Sequence, residues 1–290
     1  MKPGEFEYFA PSMAEEALTY LGEHADEAKL LAGGQSLVPM MNFRLARPER
    51  LVDLNGVAGL SYIERRDSSV AIGAMTRHVA LQHSDLLAAE WPLLTEAVGW
   101  IGHQQIRNRG TIGGSVAHAD PAAELPVTLT ALDARLSVRS RAGQRWLACS
   151  EFFVSSFMTT LEPDEMLVEI EVPSLPERTG TSFVEFARRH GDFALGGAAA
   201  VLSTDASGSC TQARLALLSA APIPVRAGEA EHQLIGTTLE PGSLSAAADA
   251  AVEGLAPSGD IHGGTAYRLK LLRAMANRAL TIAAKRSLDR

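Results

Sequence analysis

Two glycine-containing segments have the residue types of anion-binding loops. In residues 31–37 a short apolar run leads to Gly33 and Gly34, and two small polar side chains follow. Residues 110–115 repeat the pattern, with Thr111 ahead of a second glycine pair. Glycine permits positive φ angles and close approach of a ligand, and successive backbone N–H groups can form a concave nest for phosphate oxygens. The pair of segments therefore predicts a site for the two phosphates of a dinucleotide.

The spacing of these glycines differs from the commoner nucleotide-binding motifs. No Gly-x-Gly-x-x-Gly opens a βαβ unit, and no Gly-x-x-x-x-Gly-Lys-Ser/Thr is present, so neither a Rossmann site nor a P-loop is supported. A serine hydrolase built on Ser36 is also disfavoured, because Val38 stands where a nucleophile elbow needs glycine. The pairs at 196–197 and 263–264 are assigned no ligand, since isolated Gly-Gly pairs usually mark turns.

Composition is that of a soluble globular protein large enough for two domains. The chain has 290 residues, of which 46% are hydrophobic and 21% charged, with a net charge of −8. Because no basic stripe offsets this charge, nucleic acid and anionic membranes are not expected partners. The start carries no apolar signal region and no run approaches the ~18 residues of a membrane span, so a cytoplasmic location is predicted. Two short basic groups are interpreted as solvated or structural: Arg44, Arg47 and Arg50, and Arg188, Arg189 and His190.

The two cysteines limit the redox chemistry of the chain. Cys149 and Cys210 are far apart and lack neighbours at metal-ligand spacing, so we expect reduced thiols and no metal site. An iron–sulfur cluster normally takes four thiolates, so this chain cannot hold one alone.

Hydrophobic spacing predicts a small β/α lobe at the start of the chain. A helix is expected over residues 11–21, with Ser12 as N-cap and Glu15 completing a capping box. Strands are expected at 28–31 and 50–54, with the first glycine segment between them.

The remainder alternates strand and helix patterns, with a predicted linker at 173–180. Before the linker we expect strands at 69–75, 136–138, 146–149 and 166–172 and helices at 81–89, 93–101 and 122–132. After it we expect strands at 182–187, 198–203 and 213–219 and helices at 225–234, 244–254 and 265–288. A three-stranded antiparallel sheet backed by helices is the simplest packing for this last part.

Longer motifs resemble the FAD-binding medium subunit of molybdenum hydroxylases. In chain order they are AGGQSL at 32–37, RNRGTIGGS at 107–115, ADPAAELP at 119–126, GDFA at 191–194 and DIHGGTAYR at 260–268. Medium subunits of aerobic carbon monoxide dehydrogenases and the flavin domain of xanthine dehydrogenases are similar. The resemblance covers nearly the whole chain.

The resemblance implies an α+β fold of the vanillyl-alcohol-oxidase or PCMH type. The FAD-binding domain would span residues 1–176, with lobes at about 1–56 and 57–176 and the flavin between them. A C-terminal domain of the carbon monoxide dehydrogenase flavoprotein type would follow at 177–290.

The resemblance also implies which residues contact FAD. The glycine segments and the helix after them would supply Ala32, Gly33, Gly34, Gln35, Ser36, Leu37, Thr111, Ile112, Gly113, Gly114, Ser115 and Ala117. Asp120 and Glu124 would lie nearer the ribityl chain or the flavin edge, where a carboxylate can accept from a hydroxyl or from the ring N3–H. Asp120 is alternatively a helix N-cap before Pro121, and both roles are compatible.

Apolar contacts near the isoalloxazine ring would come from Ile106, Leu167 and Phe193. Core packing explains Leu167 equally well. Phe193 departs from some relatives that have tyrosine there, and it loses the hydroxyl. Ser115 stands where asparagine is frequent. These two departures concern the flavin potential and reactivity, not binding.

The implied role is electron transfer within a complex. A large subunit would hold the molybdenum cofactor and a small subunit two [2Fe–2S] clusters, and FAD on this chain would pass electrons to an external acceptor, in a heterotrimer that can be doubled. We assign no catalytic residue: His78, His103 and His118 are candidate proton donors near the ring, but a lone histidine is more often a surface residue or a satisfied core residue. The alternatives are a stand-alone flavin oxidase or reductase of the same fold, and an assembly subunit without cofactor, which the intact glycines disfavour.

Overall fold

The first part of the chain is a three-stranded parallel sheet with two helices. The computed structural model describes residues 2–289. The elements are β1 (Glu7–Phe9), α1 (Ala14–His24), β2 (Ala28–Leu31), α2 (Leu37–Asn42), β3 (Arg50–Asp53) and a 3₁₀ turn (Leu54–Gly56). The strand order is β1-β3-β2, with both pairings parallel. Residues 32–36 therefore follow the carboxyl end of a parallel strand, which is where ligands bind in open α/β sheets.

Helix α1 begins one residue later than the predicted N-cap Ser12 implies, because its N-cap is Met13. The capping carboxylate is Glu16, not Glu15: its Oε2 accepts from the backbone N–H of Ser12 (2.8 Å) and of Met13 (3.2 Å). The predicted capping box was therefore one residue out of register. Arg50, predicted to be solvated or structural, is structural, since it forms ion pairs with Glu7 and with Glu27.

The second part is a five-stranded antiparallel sheet covered by short helices. The strand order is β4-β5-β10-β6-β7. The elements are β4 (Ile63–Arg66), β5 (Ser69–Gly73), α3 (His78–Gln82), α4 (Asp85–Glu90), α5 (Pro92–Val98), α6 (Gln104–Arg109), α7 (Ile112–His118), α8 (Glu124–Ala131), β6 (Arg135–Ser140), β7 (Gly143–Ala148), α9 (Cys149–Phe152), β8 (Phe153–Ser155), β9 (Met158–Thr159) and β10 (Met166–Pro173).

Two sequence predictions change in this region. The helix predicted over 81–89 is two helices, because Ser84 interrupts it and caps α4 by accepting from the Leu87 N–H (3.3 Å). The second glycine pair lies inside the first turn of α7, although it was expected in an open loop.

The last part is a four-stranded antiparallel sheet with three helices. Its elements are β11 (Thr179–Phe186), β12 (Gly196–Thr204), β13 (Cys210–Leu218), β14 (Val225–Arg226), α10 (Gly228–Leu234), α11 (Pro241–Ala250) and α12 (Thr265–Leu288). The order is β11-β12-β13-β14, so the antiparallel sheet is confirmed and has a fourth, two-residue strand. The helix predicted from residue 225 begins only at Gly228. The long helix has its predicted bounds.

This last sheet is buried on both faces. Phe183 of β11 and Ala199 of β12 belong to the same apolar core as the second part of the chain. Val184 and Ala198, one residue along each strand, pack in a separate core that includes Leu272 of α12. The sheet therefore joins the C-terminal helices to the rest of the molecule. No helix within residues 2–289 combines the length and apolar character needed to cross a membrane.

Candidate cofactor site

The two glycine segments lie against each other at the junction of the first and second sheets. A methyl group built on Gly33 would be 2.3 Å from the carbonyl oxygen of Arg109 and 2.8 Å from Cα of Gly110. A methyl group built on Gly114 would be 3.3 Å from Cβ of Ala32. The absence of side chains at the two glycines is what lets the segments approach so closely, and the structure brings together the residues that the sequence pairs.

The first segment presents a run of open backbone donors. Within residues 2–289, the N–H groups of residues 33–37 have no protein acceptor. Gly34 has φ of +72°, a conformation that other residues rarely adopt. The carbonyls are held from behind, because Gln35 Nε2 donates to Gly33 O (2.9 Å) and Asn55 Nδ2 to Ala32 O (3.0 Å). The segment therefore has the donors and the backbone shape of an anion nest.

The second segment does not present bare amides, contrary to the sequence expectation. Its N–H groups at 112, 113, 114 and 115 donate to Thr76 O (3.0 Å), Ala74 O (2.8 Å), Thr111 Oγ1 (3.1 Å) and Thr111 O (3.0 Å). Gly113 is needed for packing, since a methyl group there would be 2.5 Å from Cβ of Ala74. The backbone N–H groups of residues 112–115 are thus occupied by protein acceptors. The polar group that this segment can offer a ligand is the half-buried hydroxyl of Ser115.

A polar network that the sequence did not indicate joins the lobes beneath the two segments. Arg77 donates to Asn55 Oδ1 (2.5 Å) and to the carbonyl of Arg109. The Asp53 carboxylate accepts from the Asn55 N–H (2.9 Å) and the Tyr8 hydroxyl (2.6 Å). Burial and the neighbouring Arg109 lower the pKa of Arg77. Asn55 comes just after β3, at the same edge of the sheet as the first segment. This position is the feature of the sequence that could have identified Asn55 as a site residue.

The segment that follows helix α7 is acidic. Helix α7 ends at His118, and α8 begins at Glu124 with Ala123 as its N-cap. Asp120 Oδ1 accepts from the Ala122 N–H (2.9 Å), so Asp120 forms a turn and the N-cap alternative is wrong. Burial raises the pKa of Glu124 to about 7, and the nearby charge of Asp120 adds to this shift.

Comparisons with known proteins agree with this geometry. Residues 4–175 match the family model described as the FAD binding domain in molybdopterin dehydrogenase, and residues 181–283 match the CO dehydrogenase flavoprotein C-terminal domain. This chain belongs to the medium FAD-binding subunits of molybdenum hydroxylase complexes. It is therefore a subunit of an oxidoreductase.

Similar proteins match over their full lengths. The chain is 48% identical over 287 residues to the 6-hydroxypseudooxynicotine dehydrogenase complex subunit alpha of Paenarthrobacter nicotinovorans, covering 99% of this chain and 97% of that protein. The structure of carbon monoxide dehydrogenase from Hydrogenophaga pseudoflava matches with TM-score 0.96 and 40% identity over 99% of each chain. Quinoline 2-oxidoreductase from Pseudomonas putida 86 matches with TM-score 0.95 and 38% identity, over 99% of this chain and 100% of that one.

The site of this FAD-binding subunit fits the cofactor in its charge distribution. The open amides of residues 33–37 suit a diphosphate, as does the guanidinium of Arg77, which donates to the Arg109 carbonyl packed against Gly33. The carboxyls of Asp120 and Glu124 follow helix α7, and they would repel phosphate but can accept from hydroxyl or imide donors. The chain's own residues therefore match a ligand in which an anionic diphosphate is followed by an uncharged polar part.

The apolar residues expected near the ring occupy three different environments. Leu167 is only 6% exposed and belongs to the second-part core, so core packing accounts for it. Ile106 is half-buried on α6 and packs against the same core. Phe193 is 75% exposed on the connection between β11 and β12. Its ring is available to a ligand or partner.

The three candidate histidines differ in burial. His78 is buried behind Gly110, and burial lowers its pKa to about 4, so the ring is neutral. Burial also lowers the pKa of His118, whose ring lies 5.1 Å from that of Phe157. His103 is exposed. Phe157 is a site neighbour that the sequence did not indicate, and its N–H donates to Ala119 O (2.8 Å).

Proposed function

We propose that this chain is the electron-transferring FAD subunit of its complex. In this role it takes electrons from the [2Fe–2S] clusters of a small subunit and delivers them to an external acceptor. The observation that carries the proposal is the junction of the two glycine segments, where residues 33–37 present open donors within the domain that matches the FAD-binding family model.

The chain's own residues would bind and orient the cofactor. Residues 32–37 would hold the diphosphate through their open amides, with residues 111–115 and Ala117 as the opposite wall. Asp120 and Glu124 would contact the ribityl chain or the ring edge, with Ile106 and Phe193 nearby. Bound FAD supplies the redox chemistry, and the protein supplies binding, orientation and electrostatics. The proposed division is an FAD-binding domain over 1–176, with lobes at about 1–56 and 57–176, and a C-terminal domain over 177–290.

The two buried cysteines support the placement of the iron–sulfur clusters on another subunit. Cys149 and Cys210 are 1% and 2% exposed. Burial raises their thiol pKa values to about 12 and about 11, so neither is an available thiolate. The clusters and the molybdenum cofactor would therefore belong to partner subunits in a heterotrimer. The names of the relatives, which are complex subunits and medium chains, support such an assembly.

The test is to purify the complex from its own cells through a tag on this chain. FAD released by acid, iron and molybdenum are then quantified in the complex and in the chain expressed alone. A laser flash activates an added photoreductant, which reduces the clusters, and the flavin absorbance is followed in the intact complex and in a sample stripped of FAD. We expect reduction of the flavin after the clusters, and loss of acceptor reduction in the stripped sample. Turnover of a small substrate by the chain alone would instead identify a stand-alone flavin oxidase.

A further inference from the structure

The carboxyl of Glu185 is buried without any hydrogen-bond partner. The residue lies on β11 and is 7% exposed. Within the described part of the chain, neither Oε1 nor Oε2 has a partner. Buried polar side-chain atoms are paired in the large majority of cases, so an orphaned carboxyl calls for a ligand or another explanation.

The position of Glu185 on its strand directs it toward the segment 120–124, which follows helix α7. Side chains alternate along a strand, so Glu185 shares the face of Phe183, which packs in the core of the second part of the chain. Its partner on β12 is Gly197, which places no side chain beside the carboxyl. Gly197 in turn pairs with Leu218, the last residue of β13. The next residue, Ser219, donates its N–H to Pro121 O (3.0 Å). The carboxyl therefore lies beneath the segment 120–124.

Glu185 also interacts electrostatically with the segment 120–124. Burial raises the pKa of Glu185 to about 8, and the charge of Glu124 contributes. The pKa of Glu124 is in turn raised by burial and by Asp120. Among residues 2–289, no basic group contributes to the pKa shift of Glu185 or of Glu124. The three carboxyls thus form an acidic group, called here the carboxyl cluster, in which Glu185 is uncharged at neutral pH.

We propose that the buried, unpaired carboxyl of Glu185 binds the uncharged polar part of the cofactor, either the imide of the ring or a ribityl hydroxyl. The inference rests on the proposed FAD site. A protonated carboxyl offers one O–H donor and one carbonyl acceptor, and an imide or a hydroxyl offers the complementary pair. The phosphates are excluded from this position because the carboxyl cluster is acidic. The C-terminal domain would thereby contribute directly to the flavin site.

Three variants of the apoprotein test this role. Glu185→Gln keeps a neutral donor and acceptor, Glu185→Leu keeps neither, and Ser182→Ala is the control on the opposite face of β11. FAD affinity is measured from pH 6 to pH 9 by flavin fluorescence, with a thermal melt of each apoprotein as a check on folding.

We expect Glu185→Leu to bind FAD about tenfold more weakly at pH 7, the loss of one or two neutral hydrogen bonds. Glu185→Gln and Ser182→Ala should bind nearly as tightly as the wild type. Above about pH 8 the wild-type affinity should fall by about tenfold per pH unit as the acid ionises, and Glu185→Gln should not show this fall.

Two results would overturn the inference. Wild-type affinity in Glu185→Leu would show that the carboxyl makes no contact, and affinity in Glu185→Gln as weak as in Glu185→Leu would show that a charged carboxylate is required. If the wild type itself bound no FAD, the proposed function would fail instead.

Two cofactor analogues distinguish the possible contacts. N3-methyl-FAD lacks the imide donor, and 2′-deoxyribityl-FAD lacks one hydroxyl. The analogue that removes the contact should weaken binding to the wild type but not to Glu185→Leu. Equal weakening of both proteins by each analogue would contradict a contact with Glu185.

Discussion

Substituting Gly33 by alanine should separate the two glycine segments. Gly33 does not have a positive φ angle, so the substitution acts through space alone. The added methyl would be 2.3 Å from Arg109 O and 2.8 Å from Gly110 Cα, both backbone atoms that cannot rotate away. An ordinary carbon–oxygen contact is about 1 Å longer, so one segment must move by roughly that amount.

The magnitude follows from this displacement. Overpacking of this kind typically costs about 1–3 kcal/mol, which for a chain of this size lowers Tm by about 2–8 °C. The open amides of residues 33–37 move with the segment, and a misplacement of about 1 Å can cost on the order of a hundredfold where geometry matters. We therefore expect FAD affinity to fall by about ten- to a hundredfold, measured by titration of the apoprotein.

Gly56→Ala is the matched control. Its methyl group would meet nothing closer than 3.5 Å, an ordinary contact, although Gly56 lies in the same lobe. This control should keep both Tm and FAD affinity. Wild-type affinity in Gly33→Ala would show that the close approach of the segments is unrelated to cofactor binding, and our account of the site would be wrong.

Three further predictions follow from hydrogen bonding and burial. Thr111→Val removes the hydroxyl that accepts from the Gly114 N–H, and it should cost about 1 kcal/mol in a denaturant melt, whereas Thr111→Ser should restore most of the loss. The free energy of unfolding of the wild-type apoprotein, measured relative to Glu185→Gln, should fall as pH rises from about 4.5 to about 8, because Glu185 keeps its proton when folded and loses it when unfolded; the fall is at most about 5 kcal/mol, and the comparison with Glu185→Gln cancels the contributions of Glu124 and His78. Cys149 and Cys210 should resist alkylation at pH 8 until the protein unfolds, because burial raises their pKa values.

Each of these expectations has an opposing result. An unchanged melt for Thr111→Val would mean that the N–H of residue 114 finds water instead. A difference in stability between the wild type and Glu185→Gln that does not fall between pH 5 and pH 8 would place an ionised carboxylate at Glu185. Rapid alkylation of the native protein would show that the last sheet or helix α9 opens readily.

The spacing of hydrophobic residues in the sequence predicted those helices and strands in which buried residues recur at regular intervals. The bounds of α12 were predicted correctly, since one stripe of that long helix is buried against β11 and β12. Strand β1 was missed because it has three residues, mostly exposed, and exists only through parallel pairing with β3. The glycine pair at 113–114 was expected in a loop because glycine is a poor helix former. Its helical state is set by close packing on Ala74, which no local pattern records.

In the candidate site, too, the features set by neighbouring residues could be predicted, and those set by residues distant in the sequence could not. Both glycine segments could be found by composition, and the structure places them together. Which segment offers free amides could not be found, because the acceptors at Ala74 and Thr76 come from the end of a separate strand. Glu185 was not predicted, since in an alternating strand a glutamate normally faces water. Here the sheet is buried on both faces, and the carboxyl has no solvent to reach.

The separation of charge within the site fixes the position of the cofactor along it. A cofactor displaced so that its diphosphate approached the carboxyl cluster would bring phosphate oxygens to the carboxylates, and like charges about 4 Å apart repel by about 1 kcal/mol in water and about 4 kcal/mol near a protein surface. Even one such pair disfavours the displaced position by roughly five- to a thousandfold. Asp120 alone supplies this discrimination while Glu185 stays protonated. The neutral acid can thus hold the uncharged end of the cofactor without adding a second buried charge, which would cost stability in the sheet that joins the C-terminal helices to the rest of the molecule.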